Sequence, residues 1–471
     1  MADKPINKKH EYSTSDFDGV DTQALRQAIP SGKQAWLENI QPVGPANARV
    51  VPGISSQLAQ LTGSPTPYYA QGFNLLIGTT STDLIFVADT NGNIWSINLD
   101  AYDVTAITFG TANAGKFTQC SAAQWKNERL MIIDNVTGLW DWNGVTLNNA
   151  GYTSKPSSGT CIATFSNIVW VASNRTISYS AQNSYLDFSV ISGHGGSINL
   201  SDETLHSSIQ QLISSNNFLY VFGIDSVNVF SDVRVAAGAS PVFTNTNLST
   251  GVGTAFPMSC TTYGRSVWFA SANGFYGLYG ASARKESIEL DGIYDQILNI
   301  NAPAAVGATP TISAGLVTIN QILCVAFLFI YEDPLQGNRP LLAVYFDKKW
   351  FFVGKSAIID QSNPALIVDC PVKGKNNLYS FDSSGRFYRL FANKSSSVQY
   401  QWKTALWDFQ QPIQYKQVTK IGVGVNFGAA VAQVNVTIDT EANSNAQITL
   451  ATNLGLVFVG SSGQAITFVQ G

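Results

Sequence analysis

The chain repeats one short module: two aromatic-rich apolar runs around a tight polar turn. Leu84–Leu99 reads LIFVADTNGNIWSINL, Leu130–Trp142 reads LMIIDNVTGLWDW, and Ile168–Tyr179 reads IVWVASNRTISY. Phe218–Phe230 reads FLYVFGIDSVNVF, Val267–Tyr279 reads VWFASANGFYGLY, and Leu378–Phe391 reads LYSFDSSGRFYRLF. Cys324–Phe352 holds CVAFLFIY and LLAVYFDKKWFF, joined through Pro334 and Gly337. β-Branched and aromatic runs bounded by Asn-Gly, Thr-Gly or Ser-Gly signal hairpins, because Gly and Asn tolerate the positive φ of a tight turn. Seven such hairpins, starting roughly every 40 to 55 residues, match the period of β-propeller blades. A lone hairpin cannot bury both faces, so neighbouring sheets must stack, and a closed ring removes their open edges. The expected fold is all-β, a propeller of six or seven blades.

The flanks differ from this middle. Residues 1–65 read as an N-terminal extended arm: a polar start, a short candidate helix at Asp21–Ile29 stopped by Pro30, then Pro42, Pro45 and Pro52. Such a segment docks on something rather than folding alone. Residues 66–400 hold the propeller. Within them, Thr204–Ile213 fits helix and strand equally, with Leu205, Ile209, Leu212 and Ile213 at helical spacing. Residues 401–471 keep a period-two pattern at Gly422–Phe427, Ala432–Ile438 and Gly455–Val459 without the aromatic hairpins. They read as a small C-terminal β-sandwich or platform domain.

Charged residues make up 12% of the 471, about half the usual ~25%. The aromatic content of 11% argues against disorder. A neutral polar surface suits a subunit that buries much of itself against partners, where unpaired charge is costly. The net charge of −4 predicts no strong attraction to nucleic acid, and the basic spots Lys8-Lys9, Arg284-Lys285 and Lys348-Lys349 are only pairs. The five cysteines (Cys120, Cys161, Cys260, Cys324, Cys370) are far apart, as expected of free thiols made in a reducing cytoplasm. No apolar signal-peptide core opens the chain, and the longest apolar run, around Ile322–Ile330, is too short to span a bilayer. Membrane insertion is therefore not expected.

Chemistry-bearing constellations are scarce. The three histidines are His10, His194 and His206. A relay of His206 with Ser201 and Asp202 is conceivable, but close sequence neighbours rarely converge that way. No His, Cys or carboxylate cluster has zinc-ligand spacing. Asp89-Thr90-Asn91-Gly92-Asn93 loosely follows a calcium loop but lacks the Gly and Glu positions of an EF-hand, so a hairpin turn is expected. Gly422–Gly428 contains GxG without a following helix, which argues against a phosphate loop. Paired carboxylates of a propeller glycosidase would come from Asp291 and Asp295, flanking Tyr294, or from Glu332 and Asp333. The sequons at Asn135, Asn174, Asn199, Asn393 and Asn435 are expected by chance in this composition. No catalytic, cofactor or metal site is expected, and the chain is not expected to be an enzyme.

Three stretches carry a family likeness. Ile177–Asp232 runs ISYSAQNSYLDFS, a linker, then IQQLISSNNFLYVFGIDSVNVFSD; Val50–Ile54 reads VVPGI; the C-terminal region holds VGVNFG and AQVNVTIDT. These resemble the packaged-DNA stabilization proteins, the tail hub or nozzle subunits of short-tailed bacteriophages, although the linker Val190–Thr204 departs from the family phrase. The resemblance implies a structural protein of the virion tail, made in the host cytoplasm. It implies a homo-oligomeric, six-fold ring below the portal and adaptor that retains the packaged genome, walls its ejection path and touches the DNA only transiently and non-specifically. It also implies contacts with a tail needle, fibre or tailspike. The rival class is a carbohydrate-binding or glycoside-hydrolase-like propeller, with Trp140 and Trp142 as its aromatic platforms.

Overall fold

A computed structural model describes residues 16–44, 47–108, 116–191, 194–201, 205–234, 240–280, 282–305, 307–334, 336–372, 374–392 and 398–405, and four strands between 433 and 467. The chain divides into two compact units, 1–409 and 410–471.

The first unit is a seven-bladed β-propeller. Blade 1 comprises Pro67–Ile77, Thr80–Asp89, Ile94–Asn98 and Val104–Ala106; blade 2 comprises Cys120–Trp125, Arg129–Asp134, Gly138–Trp142 and Leu147–Asn148. Blade 3 comprises Cys161–Phe165, Ile168–Ser173, Thr176–Tyr179 and Gly196–Asn199; blade 4 comprises Gln211–Ser215, Phe218–Phe222, Ser226–Arg234 and Val242–Thr250. Blade 5 comprises Thr261–Tyr263, Ser266–Ser271, Gly274–Tyr279 and Ser282–Lys285. Blade 6 begins with Ser313–Ile319, Ile322–Asp333, Gly337–Phe346 and Lys349–Gly354; blade 7 begins with Pro364–Val372, Lys375–Asp382 and Arg386–Arg389. The first strand of each blade is innermost, and Pro364–Val372 packs on Pro67–Ile77 to close the ring.

Each expected hairpin forms the middle of one blade. Several turns have two consecutive left-handed residues, at Ser166-Asn167, Asn216-Asn217, Asn320-Gln321 and Asp347-Lys348. Two successive positive φ angles match the twist of the flanking strands. The hydrophobic core is a set of radial wedges rather than one mass. Phe86, Ile132 and Trp140 pack between blades 1 and 2; Trp170, Val221 and Phe230 between blades 3 and 4; Phe222, Phe269 and Leu278 between blades 4 and 5. Leu366, Phe381 and Phe387 meet Ile85 and Ile97 at the closing seam. Successive residues of a strand point to opposite faces, so each blade feeds two wedges.

The N-terminal arm completes two blades. Ala59–Gln60 pairs with Arg386 and Phe387 as the outer strand of blade 7. Trp36–Glu38 adds to blade 6, parallel to Lys349–Gly354, and Gln401–Lys403 adds outside it, antiparallel. The arm therefore docks on this chain's own blades. Asp21–Ile29 forms turns rather than a helix; Asp21 Oδ1 accepts from the N–H groups of Gln23 and Ala24, a local turn that nothing extends before Pro30. In the Thr204–Ile213 stretch the strand reading holds from Gln211, while Leu205 and Ile209 are buried along irregular backbone. An α-helix, Asp291–Ile300, follows blade 5 and buries Ile293, Tyr294 and Ile297.

The second unit, described by itself, shows a hairpin of Gln433–Ile438 with Ala446–Ala451 and another of Val457–Val459 with Ala465–Thr467. The pattern at Gly422–Phe427 lies outside the described residues. No helix among the described residues is long and apolar enough to cross a membrane.

Candidate functional site

The residues singled out for chemistry do not converge. His206 Nδ1 lies 3.2 Å from Asp225 Oδ2, and both side chains are about half exposed; Asp202 lies outside the described residues. Asp291 is tied to Lys285 at 2.6 Å, while Asp295, one helical turn on, is exposed. Tyr294 between them is buried and donates to Ser271 O at 2.7 Å. Glu332 is exposed, and Asp333 accepts from Arg339 at 3.0 Å. Trp140 and Trp142 are buried: Trp140 packs edge-on against Phe117 and Trp142 against Phe73. They fill the wedge between blades rather than offering a platform to a sugar. No group of three His, Cys, Asp or Glu among the described residues is arranged for a metal. Burial raises the thiols of Cys161 and Cys370 to about 12, which leaves them un-ionised and unreactive.

The loop resembling a calcium site is a turn cap. Asp89 is fully buried; its Oδ1 accepts from the N–H groups of Asn91 and Asn93, and its Oδ2 from Trp95 Nε1 at 2.8 Å. Asp134 stands at the same point of blade 2. Its Oδ1 accepts from Thr118 and Gln119, its Oδ2 from Val136 and Thr137. Asp382 repeats the pattern in blade 7 with Ser384 and Arg386. Backbone N–H groups fill both oxygens of Asp134 and Oδ1 of Asp89 and Asp382, whose Oδ2 atoms meet side chains instead (Asn93 and Trp95; Ser362 and Arg386), so the repeat is architectural. The glycine three or four residues on gives it a signature in the sequence, as Asp89…Gly92, Asp134…Gly138 and Asp382…Gly385.

The innermost strands carry a second pattern. Across all seven, from Pro67–Ile77 round to Pro364–Val372, the single charged residue is Asp369. The other polar groups are amides and hydroxyls such as Gln71, Asn74, Gln124, Thr164 and Gln211. Several bridge blades: Gln124 Oε1 accepts from Asn74 N, and Thr164 Oγ1 donates to Gln124 O. At the closing seam an open groove of about 470 Å³ runs between Asp100 and Tyr102 of blade 1 and Lys375, Asn377 and Arg389 of blade 7.

The most elaborate polar cluster fixes the arm to blade 6. Glu38 is fully buried and accepts two hydrogen bonds from Arg339, at 2.9 and 2.8 Å, and one from Trp36 Nε1 at 3.1 Å. Burial would lower the Arg339 guanidinium, but the hydrogen bonds and charge of Glu38, then of Asp333, hold it above its ordinary value. Asn39, at φ 62°, donates to Gly354 O and Gln399 O and accepts from Gly354 N. A Cβ at Gly354 would lie 2.6 Å from Glu38 Oε1, so only glycine leaves room for the carboxylate. Sequence reasoning missed this cluster, because its members lie some 300 residues apart.

No family model and no curated protein matches the chain. Among solved structures it is similar to two of the extracellular domain of BT4673 from B. thetaiotaomicron, described in one as a hybrid two component system and in the other as a one component system. The first has a TM-score of 0.44 at 12% identity, with 74% of this chain and 40% of that chain covered. The second has a TM-score of 0.41 at 11% identity, covering 72% and 40%. This chain thus spans about 40% of the length of each.

Proposed function

We propose that the chain is a non-enzymatic structural subunit of a short-tailed bacteriophage tail. It is a hub or nozzle protein that assembles with copies of itself, six in the family reading, below the portal and adaptor. The ring retains the packaged genome and walls its exit path, and it offers sites to a tail needle, fibre or tailspike.

The observation that carries this reading is where the family-like phrases fall. VVPGI at 50–54 begins at the end of the arm's hairpin strand Asn47–Val50 and leads toward the blade 7 strand Ala59–Gln60, with Val51 and Ile54 buried. The Tyr-Ser-Ala phrase at 179–181 ends the third strand of blade 3. LYVFG and VNVF lie in the two central strands of blade 4. The likeness thus rests on residues that set blade packing and arm path. Of the C-terminal phrase, Gln433–Ile438 is a strand and 423–432 lies outside the described residues. Low charge on the chain and on its inner strands supports a wall that does not grip DNA. The burial of Trp140 and Trp142 weighs against the carbohydrate reading.

Negative-stain microscopy of the purified protein mixed with portal–adaptor complex tests the proposal. An added ring or tail segment is expected. A chain that stays apart from the complex and instead retains or cleaves glycans overturns it.

A further inference from the structure

Six blades finish in an outer edge that is short, charged or covered. Blades 1, 2, 3 and 7 end in strands of three, two, four and two residues. Blade 5 ends in Ser282–Lys285, which carries Arg284 and Lys285. Blade 6 is covered by Trp36–Glu38 and Gln401–Lys403. Blade 4 is different. Its outer strand Val242–Thr250 runs nine residues, VFTNTNLST, with no charge and no proline. One side pairs with Ser226–Arg234, with register shifts between Val227 and Asn228 and between Ser231 and Arg234; on the other, no strand follows among the described residues. Val242 is 70% exposed, and Thr244, Asn245 and Thr246 are exposed. Long, uncharged strand edges are templates for a further strand, which is why most proteins blunt them.

We propose that this edge accepts a strand from a second copy of this chain, adding a fifth strand to blade 4 and joining neighbouring subunits through one continuous sheet. The backbone fixes the chemistry of the occupant: it must be extended and offer a ladder of N–H and C=O groups. Its neutrality follows from the edge, since a charged strand would lose solvation there with no opposite charge to meet. Two copies of a chain with 27 basic and 31 acidic residues repel little. This chain also builds in this manner already, because segments flanking its propeller supply the outer strands of blades 6 and 7. The choice of a second copy over another protein rests on the ring reading above; the readiness of the edge to pair does not.

The test is light scattering on the full-length protein over a concentration series, with hydrogen exchange of those 242–248 amides that face away from Ser226–Arg234. Wild type should self-associate, and exchange at those amides should slow at least tenfold as it does. The double variant Thr244→Lys/Thr246→Lys should need at least tenfold higher concentration to associate, with its melting temperature unchanged. Asn245→Lys serves if the double variant folds poorly. A variant that associates like wild type, or exchange that ignores association, overturns the proposal. Wild type that stays monomeric yet joins the portal–adaptor complex overturns the edge proposal and leaves the tail reading standing. Self-association through this edge without binding that complex does the reverse.

Discussion

Arg339 and Glu38, 301 residues apart in sequence, form a two-pronged ion pair at 2.9 and 2.8 Å inside the edge of blade 6. Because Glu38 is fully buried, the pair locks the arm onto the propeller rather than decorating its surface. Removing one member strands the other charge, a change that typically costs about 3–5 kcal/mol. Glu38→Ala should therefore fall in that range by urea denaturation. The apolar pair Glu38→Leu with Arg339→Met should recover much of the loss, although Asp333 then loses its ion pair with Arg339. A single variant within 1 kcal/mol of wild type, roughly the value of an exposed pair, would show that the arm is held by something else.

Asp134 makes a sharper prediction about the turn caps. Its two oxygens accept four backbone N–H groups and the Thr137 hydroxyl. Asp134→Ala orphans those donors, at about 1–3 kcal/mol for each one that stays buried. A loss of roughly 3 kcal/mol or more is expected in chemical denaturation, with Asp134→Asn falling between. If Asp134→Ala costs no more than an ordinary surface change, the cap is not what ties the entry of blade 2 to its central turn.

The charge on the innermost strands gives a pH dependence. Burial raises the Asp369 carboxyl to about 6, against the pull of hydrogen bonding from the backbone at Leu316. A methyl group at Gly315 would come within 3.1 Å of its Oδ1, so the carboxyl abuts the neighbouring blade. Unfolded, the group titrates near ~3.9. The folded chain therefore holds this proton more tightly, and the stability it contributes is full below about pH 4 and lost as pH rises through about 6. Asp369→Asn, which stays neutral, should be more stable than wild type at pH 8 by on the order of 2 kcal/mol and equal near pH 4. Urea melts at pH 4, 6 and 8 measure this; a difference that does not change with pH would refute it.

The hairpins were legible because period-two alternation and two-residue turns are local signals. The blade number was not. Outer strands such as Val104–Ala106 and Leu147–Asn148 are too short to carry a pattern, and blade 7 takes its last strand from Ala59–Gln60, over 300 residues away. The Asp291–Ile300 helix went unread because Gly292 interrupts its first turn, while Ile293, Tyr294 and Ile297 stabilise it only by packing on the propeller. The Asp89 turn was readable as a turn, since its donors are adjacent in sequence. The Glu38–Arg339 cluster was not, since nothing local to Trp36–Glu38 says which blade it joins. The same limit hid the unusual edge of blade 4, whose openness is visible only beside six other edges.

Blade 4 also carries a polar residue with nothing to bond among the described residues. Asn228 is fully buried, and neither its Oδ1 nor its Nδ2 has a hydrogen-bond partner; Ser226 Oγ, two residues back on the same face, has none either. That face packs in the wedge with Leu219, Val221 and Phe230, which is apolar. Burying an amide without partners costs about 1–3 kcal/mol in proteins, whereas an apolar side chain of similar shape does not bear that cost. Asn228→Leu should therefore be neutral or stabilising by roughly 1–2 kcal/mol, and Asn228→Asp, which adds a charge to the same place, strongly destabilising. Paired thermal and urea melts decide it. A loss of more than about 2 kcal/mol in Asn228→Leu would mean the amide is satisfied in solution and that this wedge of blade 4 is wet.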